Sequence, residues 1–391
     1  MNNLVVFSSK LFRFSSDHVK TSGSFTIQMD AIAPFFDEII LCTPTVVDHE
    51  FNGISITSNN ISFSPLPNFS GRIGFIISLP RIVKQINTNI KLADLSLIII
   101  PSYVGVVASI ICQLKKVPIF QWVISDWGKS VVARRHSRMT KWIAAKFIKP
   151  LLDWLICQLT KDVLTFYNGS IPFNHQSPYH YTRISSSIQD ENLYVQNNDS
   201  SLVPPISLLF VGRLSLEKGL SCLLEAFTSL LAEGTDAVLH IAGSGELEKS
   251  IKLQIADLSI GHKVIYHGFI PHDNKLRELY RKCDLLIVPS LQDQSPKVIL
   301  EGMAYGIPVI ATNVGAIPQI IQNGVNGLLI PPAQPEAINT MINRVFSDNE
   351  LRHRLIQKGF EYASAHTVEK ETTRMMQIVI VYFQDEVLDN D

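Results

Sequence analysis

Short, continuously apolar runs alternate with helical segments along this 391-residue chain, and the alternation occurs twice. In the first half the runs are "LVVFSS" from Leu4, "EIILCTP" from Glu38, "LSLIII" from Leu95, "VPIFQWV" from Val117 and "DVLTFYN" from Asp162. A strand that is apolar throughout is buried on both faces, and strands separated by helices pair in parallel. A polar stretch ending in two prolines, "QDENLYVQNNDSSLVPP" from Gln189 to Pro205, reads as a linker. The second series is "SLLFVG", "AVLHIAG", "KVIYHGF", "DLLIVPS", "IPVIAT" and "GLLIPP". The expected architecture is α/β: two doubly wound, Rossmann-like domains over residues 1–195 and 196–366. A final helix within 367–391 is expected to pack back on the first domain. Consecutive domains of this kind hold their ligand in the interdomain cleft, at the carboxyl ends of the strands.

Composition supports two folded cores, being 46% apolar and 18% charged. A net charge of -1 argues against nucleic acid as the main partner. The five cysteines, Cys42, Cys112, Cys157, Cys222 and Cys283, are scattered and never spaced C-x-x-C, so they read as reduced thiols of a cytoplasmic protein. "MNNLVVFSSKLFRF" has too short an apolar run for a signal peptide, and no uninterrupted apolar run reaches membrane-spanning length. The expectation is a protein in solution or attached to a surface.

The chemistry concentrates in loops that follow strands. In "DQSPKVILEGMAYGIPVIATNVGAIP", Asp293 and Glu301 flank a helix start. Ser295 is read as its N-cap, Pro296 as its first residue and Gly306 as its stop. The amides of Lys297 and Val298 then suit a phosphate or sugar oxygen, and the two carboxylates suit hydroxyls on either side. An ordinary solvated helix residue is the other reading of Glu301. In "LLFVGRLSLEKGL", Arg213 and Lys218 follow a buried strand beside Gly212 and Gly219. A guanidinium fork and an ammonium can neutralise a diphosphate without a metal. Other motifs fail: "GSGELE" from Gly243 lacks the third glycine of a dinucleotide loop, and Val123 replaces the first glycine of a Walker loop before "GKS". No H-E-x-x-H appears, and the D-x-D at Asp389 to Asp391 is terminal.

With these residues in place, the second half resembles the retaining GT-B glycosyltransferases of group 1, family 4. The resemblance runs in order through "FVGRLSLEKGL", "IAGSGELE", "VIYHGFIPH", "LYRKCDLLIVPS" and the acidic block, over residues 208–332. It implies a hexosyltransferase-type enzyme that moves a sugar from a nucleotide diphosphate to a hydroxyl of a glycan or lipid-linked acceptor. Retention, no metal and no cofactor beyond the donor substrate are implied too, with polysaccharide or lipopolysaccharide biosynthesis as the usual setting. By that resemblance Arg213 and Lys218 hold the diphosphate, Glu301 the ribose and Asp293 the donor sugar, while backbone at Gly268, Phe269 and Ile270 meets the base. Asp293 departs from the family's usual glutamate. In the first half, Gly23 alone remains of a two-glycine loop, Asp126 stands where relatives face the acceptor, and "ISSSI" from Ile184 replaces an asparagine-glycine turn. Asp126 also fits a helix cap. A non-catalytic sugar-nucleotide-binding subunit, an epimerase and a phosphorylase are the competing readings.

Between Lys129 and Lys149 stand seven cations and no acid: Lys129, Arg134, Arg135, Arg138, Lys141, Lys146 and Lys149. Met139, Trp142, Ile143, Phe147, Leu151 and Leu155 supply an apolar stripe. Such a helix either lies on the inner face of an anionic membrane or joins the core of the first domain.

Overall fold

The computed structural model describes residues 2–388 apart from 15–18, 22–23, 49–52, 127, 129–130, 133–137, 170, 172–176, 195–202 and 295. Gly23, Ser295, the arginines at 134 and 135 and the terminal D-x-D therefore lie outside the described residues. The chain divides into two compact units, residues 1–183 with 371–391, and residues 184–370.

The first unit is built on β1 (Asn3–Phe7), β2 (Phe12–Phe14), β3 (Val19–Thr21), β4 (Glu38–Val47), β5 (Ile54–Ser55) and β6 (Ile61–Leu66). It continues with β7 (Leu95–Ile100), β8 (Ile119–Val123), β9 (Leu164–Asn168) and β10 (His180–Arg183). The parallel order is β10-β9-β8-β7-β1-β4-β6, with β1 flanked by β4 and β7. Strands β2, β3 and β5 continue from the far half of β4, with β3 antiparallel to both its neighbours. Successive residues of the central strands feed opposite cores, as the period of two requires. Leu4, Val6, Leu97 and Phe120 face one core; Val5, Phe7, Ile98 and Ile100 face the other.

The last helix, Val368–Leu388, sends Met375, Met376 and Val379 into the first of those cores. Arg183, buried at the end of β10, fixes it there. Its guanidinium lies 4.1 Å from the Trp122 ring centroid and donates to Met375 Sδ at 3.7 Å. Burial lowers its pKa to about 10 despite the nearby Glu371 carboxylate.

The second unit carries β11 (Ile206–Val211), β12 (Ala237–Ala242), β13 (Val264–Gly268), β14 (Leu285–Val288), β15 (Val309–Thr312) and β16 (Leu328–Ile330). All pair in parallel, in the order β13-β12-β11-β14-β15-β16. This is the doubly wound order of a dinucleotide-binding domain, whose switch point falls between β11 and β14. The unit also begins earlier than the sequence suggests. Residues 184–194 belong to it: Ile188 is buried in its core, and the Tyr194 amide bonds the Ala304 carbonyl at 3.1 Å. Ile188, just before that polar stretch, is buried, and Ile184 and Leu193 pack partly against the same core.

One close approach in the first unit has no room to give. A Cβ on Gly105 would stand 2.1 Å from the Ile99 carbonyl oxygen and 2.7 Å from Ser102 Oγ, which caps this helix by accepting from the Gly105 amide. Gly105→Ala is expected to cost about 1–3 kcal/mol by overpacking, read as a thermal midpoint lowered by several degrees.

Candidate functional site

Backbone contacts join the carboxyl ends of β11, β12 and β13, and the Tyr266 hydroxyl donates to the Gly243 carbonyl at 3.0 Å. The Gly212 amide bonds the Ala242 carbonyl at 3.0 Å, and the Gly243 amide bonds the Gly268 carbonyl at 2.7 Å. Gly243 has φ +149, and a Cβ there would stand 1.8 Å from the Gly212 oxygen. An open pocket of about 270 Å³ sits over these ends, lined by Gly212, Arg213, Gly243, Phe269, Ile270 and Leu276 among others. Arg213 is exposed at its wall. Phe269, 60% exposed, offers a ring with no protein burial to explain it. Gly268 is needed for its φ of +67 rather than for space, since nothing lies within 4 Å of its missing Cβ.

The loops after β11 and β14 interlock across the switch point. The Leu291 amide bonds the Glu217 carbonyl at 2.8 Å, and a Cβ on Gly219 would stand 2.0 Å from the Pro289 oxygen. Lys218 Nζ thereby comes within 2.6 Å of Asp293 Oδ2. The expected cation pair Arg213 and Lys218 is therefore divided in this state: Arg213 faces the pocket and Lys218 is engaged with Asp293. Asp293 is itself fixed, because its carbonyl accepts from the Ala316 amide at 2.8 Å and Gly315, at φ +56, leaves no gap over that carbonyl.

The helix after this loop spans Lys297–Ala304, with Pro296 in the capping position. Pro296 has ψ 69, outside the helical range, so the first helical residue is one later than the proline rule suggests. Its end follows the pattern of the sequence: Gly306 is left-handed at φ +71, its amide bonds Met303, and the Ile307 amide bonds Gly302. A Cβ on Gly302 would meet Leu286 Cδ2 at 2.7 Å, so the helix lies tight on the sheet.

Glu301 is not a solvated helix residue. It is 5% exposed, and both oxygens are occupied. Ser187 Oγ donates to Oε1 at 2.5 Å, His272 Nε2 lies 3.2 Å from the same oxygen, and the Tyr280 hydroxyl donates to Oε2 at 2.7 Å. Burial works against its charge, but the His272 imidazolium and the three hydrogen bonds outweigh it and bring the pKa to about 2. For His272 burial also opposes the charged form, as do Arg277 and Lys297; the Glu301 carboxylate prevails and raises its pKa above 6.5. Burial, then Glu301, pushes the Tyr280 phenol well above its ordinary range, so it remains a donor. Ser187, His272 and Tyr280 escape a reading by motif because each lies on a different element; "ISSSI" and "GFIPH" look like connections until the fold brings them to one carboxylate.

Asp126 is half-buried just past β8, in the first unit. Lys297 and Val298 lie on the first turn of the helix that carries Glu301, both half-buried.

With this geometry in hand, comparison with known proteins is informative. The chain has the GT-B fold. It superposes on HepE of Anabaena, solved in complex with UDP and glucose, with a TM-score of 0.69 over 96% of this chain and 98% of that one, at 17% identity. A sucrose-phosphate synthase of Thermosynechococcus elongatus gives 0.73 over 98% and 99%, also at 17% identity. Residues 198–362 match the family described as Glycosyl transferases group 1. An uncharacterized glycosyltransferase of Methanocaldococcus jannaschii is 34% identical over 44% of this chain and 45% of its own length. The amylovoran biosynthesis glycosyltransferase of Erwinia amylovora is 30% identical over 40% of each. The chain thus spans less than half the length of these curated relatives. The similarity to group 1 glycosyltransferases is thus carried by residues 198–362, within the second unit.

The His272–Glu301 pair makes stability depend on pH with a definite sign. Because the folded pKa of His272 is raised, its contribution is complete below 6.5 and is lost as pH rises through the raised value. Thermal melts of wild type and His272→Gln are expected to differ most below pH 6.5 and to converge as pH rises through the raised pKa of His272. A constant difference across that range would contradict the pairing.

Proposed function

We propose that this protein is a retaining glycosyltransferase that moves a sugar from a nucleotide diphosphate to a hydroxyl without a metal. The observation that carries the reading is a cationic pocket at the carboxyl ends of β11 to β13. Arg213 and the exposed Phe269 line it, the Lys218 stem runs beside Gly212, and Asp293 and Glu301 stand on the adjoining loop and helix. A nucleotide's base stacks on a ring, its diphosphate meets fixed positive charge, and its hydroxyls meet carboxylates. Glu301 serves the ribose, Asp293 the sugar, and the first turn at Lys297 and Val298 the phosphate oxygens. As the anomeric bond breaks, charge accumulates on the leaving diphosphate. Preorganised Arg213 and Lys218 stabilise that charge, the task a divalent ion performs elsewhere. The first unit, with Asp126, serves the acceptor.

We infer a lipid-linked acceptor from the outer face of the first unit. Along Arg138–Ile143, Ala144–Ile148 and Lys149–Thr160, the side chains of Trp142 (56% exposed), Phe147, Leu151 and Trp154 (59% exposed) face outward. Lys146 Nζ lies 4.7 Å from the Trp142 ring centroid. Ile73, Ile76 and Ile77 are likewise exposed on the helix Gly71–Asn89, which packs beside Tyr103–Leu114, itself beside Lys149–Thr160. Tryptophan and lysine on one apolar face suit the interface of an anionic bilayer. No helix among the described residues is long and apolar enough to cross a membrane.

Arg213→Ala is expected to lower kcat/KM by about 10²–10³ in a transfer assay with a panel of UDP-, GDP- and ADP-sugars. Wild-type turnover in that variant and in Glu301→Ala would remove the site assignment. Vesicles containing anionic lipid are expected to co-sediment the wild type, and Trp142→Ala with Trp154→Ala to abolish it. Absence of sedimentation for the wild type on any vesicle ends the membrane reading.

A further inference from the structure

The ion pair between Lys218 and Asp293 joins two groups whose ligand tasks, on the preceding reading, differ. Lys218 is needed by the diphosphate and Asp293 by the sugar, yet in this state each satisfies the other at 2.6 Å. The partners are unequal. Asp293 is buried, with its side chain 6% exposed, and its backbone is locked under Gly315 and Ala316. Lys218 is 25% exposed and reaches Asp293 along a stem whose Cδ passes 3.9 Å from the position of a Gly212 Cβ, at the wall of the pocket that holds Arg213. Rotation about the last bonds of that stem carries the ammonium from the carboxylate toward the pocket without moving the backbone. A lysine can do this where an arginine fork would have to break two bonds at once.

We propose that Lys218 is a shared cation whose transfer from Asp293 to the diphosphate makes this site select an intact sugar nucleotide over the bare nucleoside diphosphate. This rests on the donor reading above and assigns the ion pair a task within it. A diphosphate entering alone takes Lys218 and removes the ammonium from the buried Asp293 carboxylate; Ser290 Oγ, at 3.5 Å from the same oxygen, brings no charge to replace it, so the exchange is costly. An intact donor takes Lys218 as well, but its sugar hydroxyls donate to Asp293 and replace what was lost. The preference is therefore a difference of affinities built by an internal competitor. It acts again after transfer. Once the sugar has gone, Asp293 reclaims Lys218 and the diphosphate product is released.

The prediction runs opposite to the usual loss on removing a site residue. Asp293→Asn is expected to bind the nucleoside diphosphate on the order of tenfold more tightly than wild type, while sugar transfer falls. The gain should disappear in Asp293→Asn combined with Lys218→Gln, because both variants act through one pair. Isothermal titration of UDP, GDP and ADP, each beside its glucose ester, reads all of this on the full chain. Thermal melts verify folding, and Asp293→Ser is the second variant if the asparagine protein does not fold. An unchanged or weaker diphosphate affinity in a folded Asp293 variant overturns the proposal. So does a gain that survives Lys218→Gln. A wild type that binds no nucleotide at all overturns the donor reading itself, an outcome distinct from either.

Discussion

Backbone pressed on backbone at the carboxyl ends of the second sheet is the constraint from which the rest of the site follows. Three glycines make it possible: Gly243 against Gly212, Gly219 against Pro289 and Gly315 against Asp293. At each contact a side chain would stand 1.8–2.0 Å from a carbonyl oxygen, closer than any real Cβ approaches. Each of the three also has positive φ, so the residue type is set twice, by space and by conformation. Their effect is to hold loops from non-neighbouring parts of the sequence in fixed register. Lys218 meets Asp293 across 75 positions because the Gly219 and Gly315 contacts leave each loop one place to be.

The electrostatics are arranged on that frame with an economy of charge. The two carboxylates of this region are buried, and neither is left to the solvent: Asp293 has an ammonium, and Glu301 has an imidazole, a phenol and a hydroxyl. A buried carboxylate without such partners would take up a proton and lose its value as an acceptor. The tyrosine that serves Glu301 is in turn stacked on Tyr305, centroids 5.3 Å apart, and Arg281 lies over Tyr194 at 4.3 Å. The first segment of the second unit is thus bound to the helix that carries the acid.

Much of this was legible in the residues, and the divisions are instructive. The central parallel strands could be read because they are buried on both faces, as β14 and β15 are throughout; the edge strand β13 alternates half-buried and exposed residues and was legible from its apolar and aromatic residues alone. Gly306 ended its helix as a left-handed glycine must. The short strands β2, β3 and β5 left no such signal, being two or three residues long and only partly buried. The beginning of the second unit was obscured by polar residues around Ile188, because Ser185, Ser186, Ser187 and Asn192 are buried there although their composition reads as a loop. Of the site, the acids and cations were visible as charges beside strand ends. Their partners were not, because Ser187, His272 and Tyr280 come together only through the fold, and no spacing along the chain encodes a contact made by three separate elements.

The return of the last helix to the first unit has a consequence for biosynthesis. Met375, Met376 and Val379 complete a core whose other members begin at Leu4. Every residue of the second unit is therefore translated between the opening and the closing of the first. A nascent chain emerging from the ribosome carries an unsealed apolar face for the whole of that interval, while the second unit has all its own residues and can close first. The guanidinium of Arg183, at the threshold of the interruption, waits over Trp122 for a methionine made 192 residues later.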